Sequence, residues 1–166
     1  MRIEEFNDLA TPEARGLALV WAAIPTWVDT VVAGRPYASV DALASRAAAL
    51  ATIWTPSDLD AALAHHPRIG ERPKGKGAEA AASRTEQSSM DAADDDVTAL
   101  IAAGNRVYEE RFGRVFLIRA AGRTPEEMLA ELRRRLANDK DAEAQEAIRQ
   151  LAEIALLRLR TAITEG

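Results

Sequence analysis

The sequence contains no cysteine, which excludes disulfides, thiol nucleophiles and cysteine-held zinc or iron–sulfur centres. Aromatic residues make up only 5% of the chain, and few strand-forming side chains remain to build a sheet. Positive charge is not in excess: 21 Lys and Arg stand against 26 Asp and Glu, a formal net charge of −5. A nucleic-acid partner needs a basic face that displaces counterions, and none is evident. No apolar run approaches the roughly 18 residues of a membrane span. The opening Met1-Arg2-Ile3-Glu4-Glu5 lacks the basic-then-apolar order of a signal peptide. The expectation is a cytoplasmic protein with neither a membrane nor a nucleic-acid partner.

What the chain does have is alanine, 35 of its 166 residues. Alanine has the best helix propensity, so the composition favours an all-α fold. A chain of this length buries roughly 70% of its unfolded surface. It suits a single compact multi-helix domain over 1–166, with about seven to nine helices expected from the punctuation. Thr11-Pro12-Glu13 opens a helix toward Ile24, and Pro25 closes it before a shorter one to Gly34. Ser39 and Asp41 open a third through Trp54, and Thr55-Pro56-Ser57-Asp58 a fourth that must stop near His65 before Pro67. Glycine, proline and charge then mark an exposed loop from Pro67 to Ala82. Ser83-Arg84-Thr85-Glu86 reads as a capping box starting the next helix. A long helix from about Asp94 to Phe112 stops at Gly113, and a second capping box, Thr124 to Glu127, starts one ending near Ala137. The last runs from about Asp141 to Thr164. The one strand-like stretch, near 115–119, is too short to found a sheet.

The final helix carries an anomaly. At 100° per residue, Ala144, Ala147, Leu151, Ile154, Ala155, Leu159 and Ala162 share one apolar face, with Arg149, Glu153 and Arg160 opposite. Arg158 falls in the middle of the apolar stripe. A guanidinium keeps its proton and is costly to bury alone. Three readings are open: it snorkels to the surface, pairs with an internal carboxylate, or receives a substrate carboxylate.

Few other residues offer chemistry. His65 and His66 are adjacent and so point apart on a helix, and no third histidine or cysteine exists to complete a metal site. His66, at a helix end, gains from the negative end of the dipole as a cation and can serve as an acid near neutrality, or simply cap loose carbonyls. The run from Gly70 to Gly77 nearly matches a phosphate-binding loop, but Gly77 replaces the Ser or Thr that holds magnesium, and no strand precedes it. Glu86 reads by spacing as half of its capping box. Asp94-Asp95-Asp96 reads as negative charge at a helix start, and Arg133-Arg134-Arg135 as a solvated face. Composition alone fits a non-catalytic helical interaction module, in which these groups are structural.

A set of motifs in order along the chain points further. His66-Pro67-Arg68-Ile69-Gly70 is followed by Ser83-Arg84-Thr85-Glu86-Gln87, then Asn105-Arg106-Val107-Tyr108-Glu109-Glu110-Arg111-Phe112-Gly113. Phe116-Leu117-Ile118, Gly122-Arg123-Thr124, Leu136-Ala137-Asn138-Asp139 and Ile154 to Leu159 complete the series, with Phe6-Asn7 and Arg35-Pro36-Tyr37 near the start. Together they resemble the 2-oxo-4-hydroxy-4-carboxy-5-ureidoimidazoline (OHCU) decarboxylases of urate breakdown. The resemblance implies an all-helical homodimer acting without metal or cofactor on a small molecule, with (S)-allantoin as product. It implies His66 as catalytic proton donor, Glu86 hydrogen-bonded to the substrate, and Arg158 as the functional arginine. Pro67, then Ser83, Arg84, Thr85, Glu86 and Gln87, then Phe116, Leu117, Ile118, Arg119 and Ala120 are implied as the substrate-binding wall.

Overall fold

A computed structural model describes residues 1–64, 66–71 and 77–166. Among these residues there are nine α-helices, one 3-10 turn and no strand, as the composition leads one to expect. The chain groups into two compact units.

The first unit comprises Met1–Ala62 and Ala152–Gly166. Its helices are α1 (Ile3–Asp8), α2 (Thr11–Trp21), α3 (Pro25–Ala33), α4 (Val40–Ala51), α5 (Pro56–Leu63, whose last residue passes into the second unit) and the end of α9 (Lys140–Ala162). Pro12 and Pro25 sit in the first turns of α2 and α3, where no amide hydrogen is needed. Ser39 caps α4 by accepting from the Ala42 amide at 3.1 Å. The few aromatics pair inside: Phe6 against Trp21 at 5.5 Å, and Trp27 edge-on to Trp54 at 5.6 Å. Helix α1 lies outside the sequence expectation, being six residues long and apolar only at Ile3 and Phe6. Backbone bonds from Ile3 to Thr164 (3.0 Å) and from Thr164 to Met1 (2.9 Å) tie it to the chain end.

The second unit, Leu63–Leu151, holds α6 (Ala78–Glu86), a 3-10 turn (Ser88–Ala92), α7 (Asp95–Phe112), α8 (Pro125–Arg135) and the start of α9. Its core is Ile69, Ile101, Tyr108, Phe116, Ile118, Ala120, Met128, Leu129 and Leu132. Thr124 and Glu127 form the capping box expected of them, and Gly113, at φ 71°, ends α7 in the left-handed conformation that glycine takes freely. On the α9 wheel, Ala144, Ala147, Leu151, Ile154, Ala155 and Leu159 are buried, while Arg149, Glu153 and Arg160 are exposed.

Three expectations are corrected. Helix α6 starts at Ala78, inside the stretch read as loop, because Ala78-Glu79-Ala80-Ala81-Ala82 has high helix propensity and propagates toward the N-terminus. Ser83 is therefore interior to a helix and Glu86 ends one, so no capping box forms there. Arg135 is not part of a solvated face. It is 1% exposed, following Met128 and Leu132 at helical spacing on the buried side of α8. His65 and residues 72–76, which include most of the loop resembling a phosphate cradle, lie outside the described residues.

Candidate active site

Helix α5 ends at Leu63, and the His66 amide donates to the Leu63 carbonyl at 3.1 Å, so His66 stands just past a helix terminus. The chain then turns. Pro67 has no amide hydrogen, the Glu71 amide closes on the Arg68 carbonyl at 3.1 Å, and Gly70 has φ 84°. This turn has no ladder or helix to hold it, and side chains from two helices do so instead. Gln87, the C-cap of α6, accepts from the Gly70 amide at 3.0 Å and donates to the Arg68 carbonyl at 3.4 Å. Asn105, buried on α7, donates from Nδ2 to the Ile69 carbonyl at 3.0 Å. One turn along, Glu109 accepts two bonds from Arg68, Nε–Oε1 at 2.5 Å and Nη2–Oε2 at 2.9 Å. The guanidinium hydrogen bond holds the Glu109 carboxyl below its ordinary range, outweighing partial burial.

The Ser83–Gln87 segment occupies the last turn of α6 and its cap. Ser83 is buried, Glu86 and Gln87 are half-buried, and Arg84 and Thr85 are exposed, with Thr85 Oγ1 donating to the Ala81 carbonyl at 3.2 Å. A cleft of about 500 Å³ lies against this helix end, lined by Gly70, Arg84, Gln87, Met90 and Thr98 among others. A second, of about 260 Å³, opens on the turn between Arg68, Asn105, Arg106 and Glu109. Among the described residues, Arg84 and Gln87 are the ones expected to touch substrate that line these two clefts.

Phe116, Leu117, Ile118 and Ala120 are buried in a segment that is neither helix nor strand. Buried backbone polar groups must be satisfied somewhere, and here side chains satisfy them. Arg135 Nη1 donates to the Leu117 carbonyl at 2.7 Å, and Gln150 Oε1 accepts from the Arg119 amide at 2.9 Å. Arg119 itself is half-buried, with Nη1 on the Ala121 carbonyl at 3.0 Å. Behind this segment, Glu143 Oε1 accepts from Arg135 Nη2 and from the Tyr108 hydroxyl, each at 2.5 Å, while Asn138 donates to Oε2 at 2.9 Å. Burial pushes the Tyr108 phenol up, and its bond to Glu143 adds to that.

Arg158 belongs to the first unit. It is 5% exposed, so it does not snorkel, and its Nη1 donates to the Val20 carbonyl at 2.9 Å. Val20 lies in the last turn of α2, whose terminal carbonyls lack helical partners and favour a cation. Sequence reasoning missed Asn105, Glu109, Gln150 and Arg135. For Asn105 and Arg135 a signal existed: each is a polar residue within an apolar stripe, Ile101-Asn105-Tyr108 and Met128-Leu132-Arg135. Glu109 and Gln150 carry no such mark. Among the described residues no group of three or more His, Asp or Glu is placed to hold a metal ion, and no helix is long and apolar enough to cross a membrane.

The family model described as OHCU decarboxylase matches residues 7–160. The chain belongs to the OHCU decarboxylase family. The match takes in His66, Glu86 and Arg158 alike. A 2-oxo-4-hydroxy-4-carboxy-5-ureidoimidazoline decarboxylase from Amia calva is 32% identical over 98% of this chain and 95% of its own length. The uric acid degradation bifunctional protein of Bacillus sp. (strain TB-90) is 21% identical over the whole chain, which spans 33% of that larger protein. Among solved structures, OHCU decarboxylase crystallised in the presence of (S)-allantoin shares the fold at a TM-score of 0.74 and 24% identity, over 87% of this chain and 94% of that one. A crystal structure of (S)-allantoin synthase superposes at 0.71 with 15% identity, over 98% of this chain and 54% of the other.

Proposed function

We infer that this protein is a carboxy-lyase that converts OHCU to (S)-allantoin in urate degradation. The observation that carries the reading is the OHCU decarboxylase family match over residues 7–160. The 32% identity to the Amia calva decarboxylase over 98% of this chain supports it.

Loss of carbon dioxide leaves an electron pair that needs a destination. In this substrate a ring imine beside the carboxylated carbon accepts it, so the molecule carries its own electron sink and the protein needs no cofactor for that purpose. The imine nitrogen takes up a proton as it accepts the pair, the hydroxyl on the carbon that lost the carboxylate becomes a carbonyl as its proton leaves, and the neighbouring ring carbon takes up a second proton and becomes the stereocentre. In balance, one carbon–carbon bond breaks, carbon dioxide departs and one proton is consumed. The protein supplies orientation, placed charge and a proton delivered to one face. In this reading Arg158 holds an anionic or carbonyl oxygen and stabilises charge developing there. Glu86 accepts a hydrogen bond from the substrate hydroxyl, and His66 delivers the proton. Pro67, Ser83–Gln87 and Phe116–Ala120 form the binding wall. The burial of Arg158 and the position of His66 just beyond α5 support these roles. The protein acts in the cytoplasm as a homodimer.

The test couples the protein to urate oxidase and hydroxyisourate hydrolase and follows optical rotation. One hand of allantoin forms faster than by spontaneous decay, and His66→Ala returns the signal to the spontaneous rate. A wild-type protein that leaves the rate unchanged supports instead the non-catalytic interaction module, and a fully active His66→Ala removes the proton-donor assignment.

A further inference from the structure

We infer that Asn105 of α7 is a positioning residue for the reaction, fixing the turn that carries His66 through its hydrogen bond to the Ile69 carbonyl. The inference rests on the reading of His66 as proton donor given above.

Residues 66–71 form neither helix nor strand, so nothing periodic sets where the imidazole stands. Successive polar groups of this turn are held from outside: the Arg68 carbonyl and Gly70 amide by Gln87, the Ile69 carbonyl by Asn105, and the Arg68 side chain by Glu109. Asn105 and Glu109 are four apart on α7 and so share a face. Only the Asn105 bond is buried. The Arg68–Glu109 pair is open to solvent, and Gln87 meets the turn at an exposed position. The buried bond is the one of these that water competes for least.

The chemistry of Asn105 is otherwise unfavourable, and that is informative. Its residue is 4% exposed, and its Oδ1 has no hydrogen-bond partner among the described residues. The amide cannot be turned around, because the Ile69 carbonyl accepts only and must face Nδ2. A buried carbonyl without a partner is costly, and a leucine of similar size would avoid the cost on a stripe that already holds Ile101 and Tyr108. What leucine cannot supply is the hold on Ile69. An imidazole displaced by even an ångström delivers its proton poorly, so that hold bears directly on rate.

The experiment compares Asn105→Leu, Asn105→Asp and Glu109→Gln in the full chain. Gly104→Ala is the control. Its Cβ would come 2.5 Å from Leu132 Cδ2, so it strains α7 packing one residue away without touching the turn. The chain has two histidines, so its proton spectrum shows two imidazole signals, and His66→Ala identifies which is which. Both Asn105 variants displace the His66 signal and its titration. Both lower kcat by about tenfold or more while KM stays within about twofold. Glu109→Gln gives a smaller displacement in the same sense and keeps the fold, since its ion pair is exposed. Gly104→Ala lowers thermal stability with the His66 signal in place and kcat unchanged. An unmoved His66 signal in the Asn105 variants overturns the inference, and so does an equal loss of kcat in Gly104→Ala. A wild type without decarboxylase activity whose His66 signal still shifts on Asn105→Leu removes the functional reading and leaves the clamp on the turn standing.

Discussion

Arg158 and Arg160 are two residues apart on α9 and differ in almost everything that matters to a guanidinium. Arg160 is exposed and pairs with Asp41 at 2.7 Å, an interaction that solvent screens. Arg158 is buried and directs Nη1 to the helix-end carbonyl of Val20. Lysine keeps the charge in either place but loses the planar fork, which counts only where several acceptors must be met at fixed angles. On the role proposed for it, Arg158→Lys lowers kcat/KM in the coupled allantoin assay by about a hundredfold, on the scale of losing one preorganised donor to developing charge. Arg160→Lys stays within about twofold of wild type and within about 0.5 kcal/mol in stability. Equal losses from the two would mean that the buried guanidinium has no part in the chemistry. Arg158 was legible in the sequence because its neighbours on the wheel are apolar. Arg135 was equally legible by that argument and was missed, because three arginines in a row read as one charged surface rather than as three directions around an axis.

Helix starts and stops were legible where the signal is local. Thr124 shows this well: its Oγ1 accepts from the Glu127 amide at 3.2 Å while Glu127 Oε2 accepts from the Thr124 amide at 2.8 Å. Removing the hydroxyl loses one of two reciprocal bonds, and Pro125 leaves the start of α8 preset. Thr124→Ala costs about 1 kcal/mol, and in a chain of this size that lowers the melting temperature by roughly 2–4 °C. Circular dichroism at 222 nm measures it. The same four-residue pattern at Ser83 misled because a capping box in sequence says nothing about whether the residues before it already prefer helix. Ala78 to Ala82 do. The segment at 115–120 fails as a strand for a different reason: its backbone is held in part by the side chains of Arg135 and Gln150, 18 and 31 residues away, and no window of local sequence contains those two.

Over the whole molecule the largest departure from the sequence reading is a charge network in the core of the second unit. Arg135 is 1% exposed and Glu143 is fully buried, yet together they meet Tyr108, Asn138 and the Leu117 carbonyl, and the guanidinium stacks on Phe116 at 4.6 Å. Two charges withdrawn from water are costly, and apolar side chains of like volume often do as well, so the pair by itself is poor evidence of stabilisation. Breaking it from one side is another matter, because the partner keeps its charge. Glu143→Leu strands Arg135 and costs about 3–5 kcal/mol. Replacing the set together, with Arg135→Met, Glu143→Leu and Tyr108→Phe, removes every orphaned charge and hydroxyl and recovers much of that loss. It does not recover all of it, because the buried Leu117 carbonyl then has no donor, a deficit of about 1–3 kcal/mol. Denaturant unfolding should therefore order the proteins as wild type, triple variant, single variant. A triple variant as stable as wild type would show that the Leu117 carbonyl finds water or another donor, and that Arg135 is dispensable for holding the segment from Phe116 to Ala120.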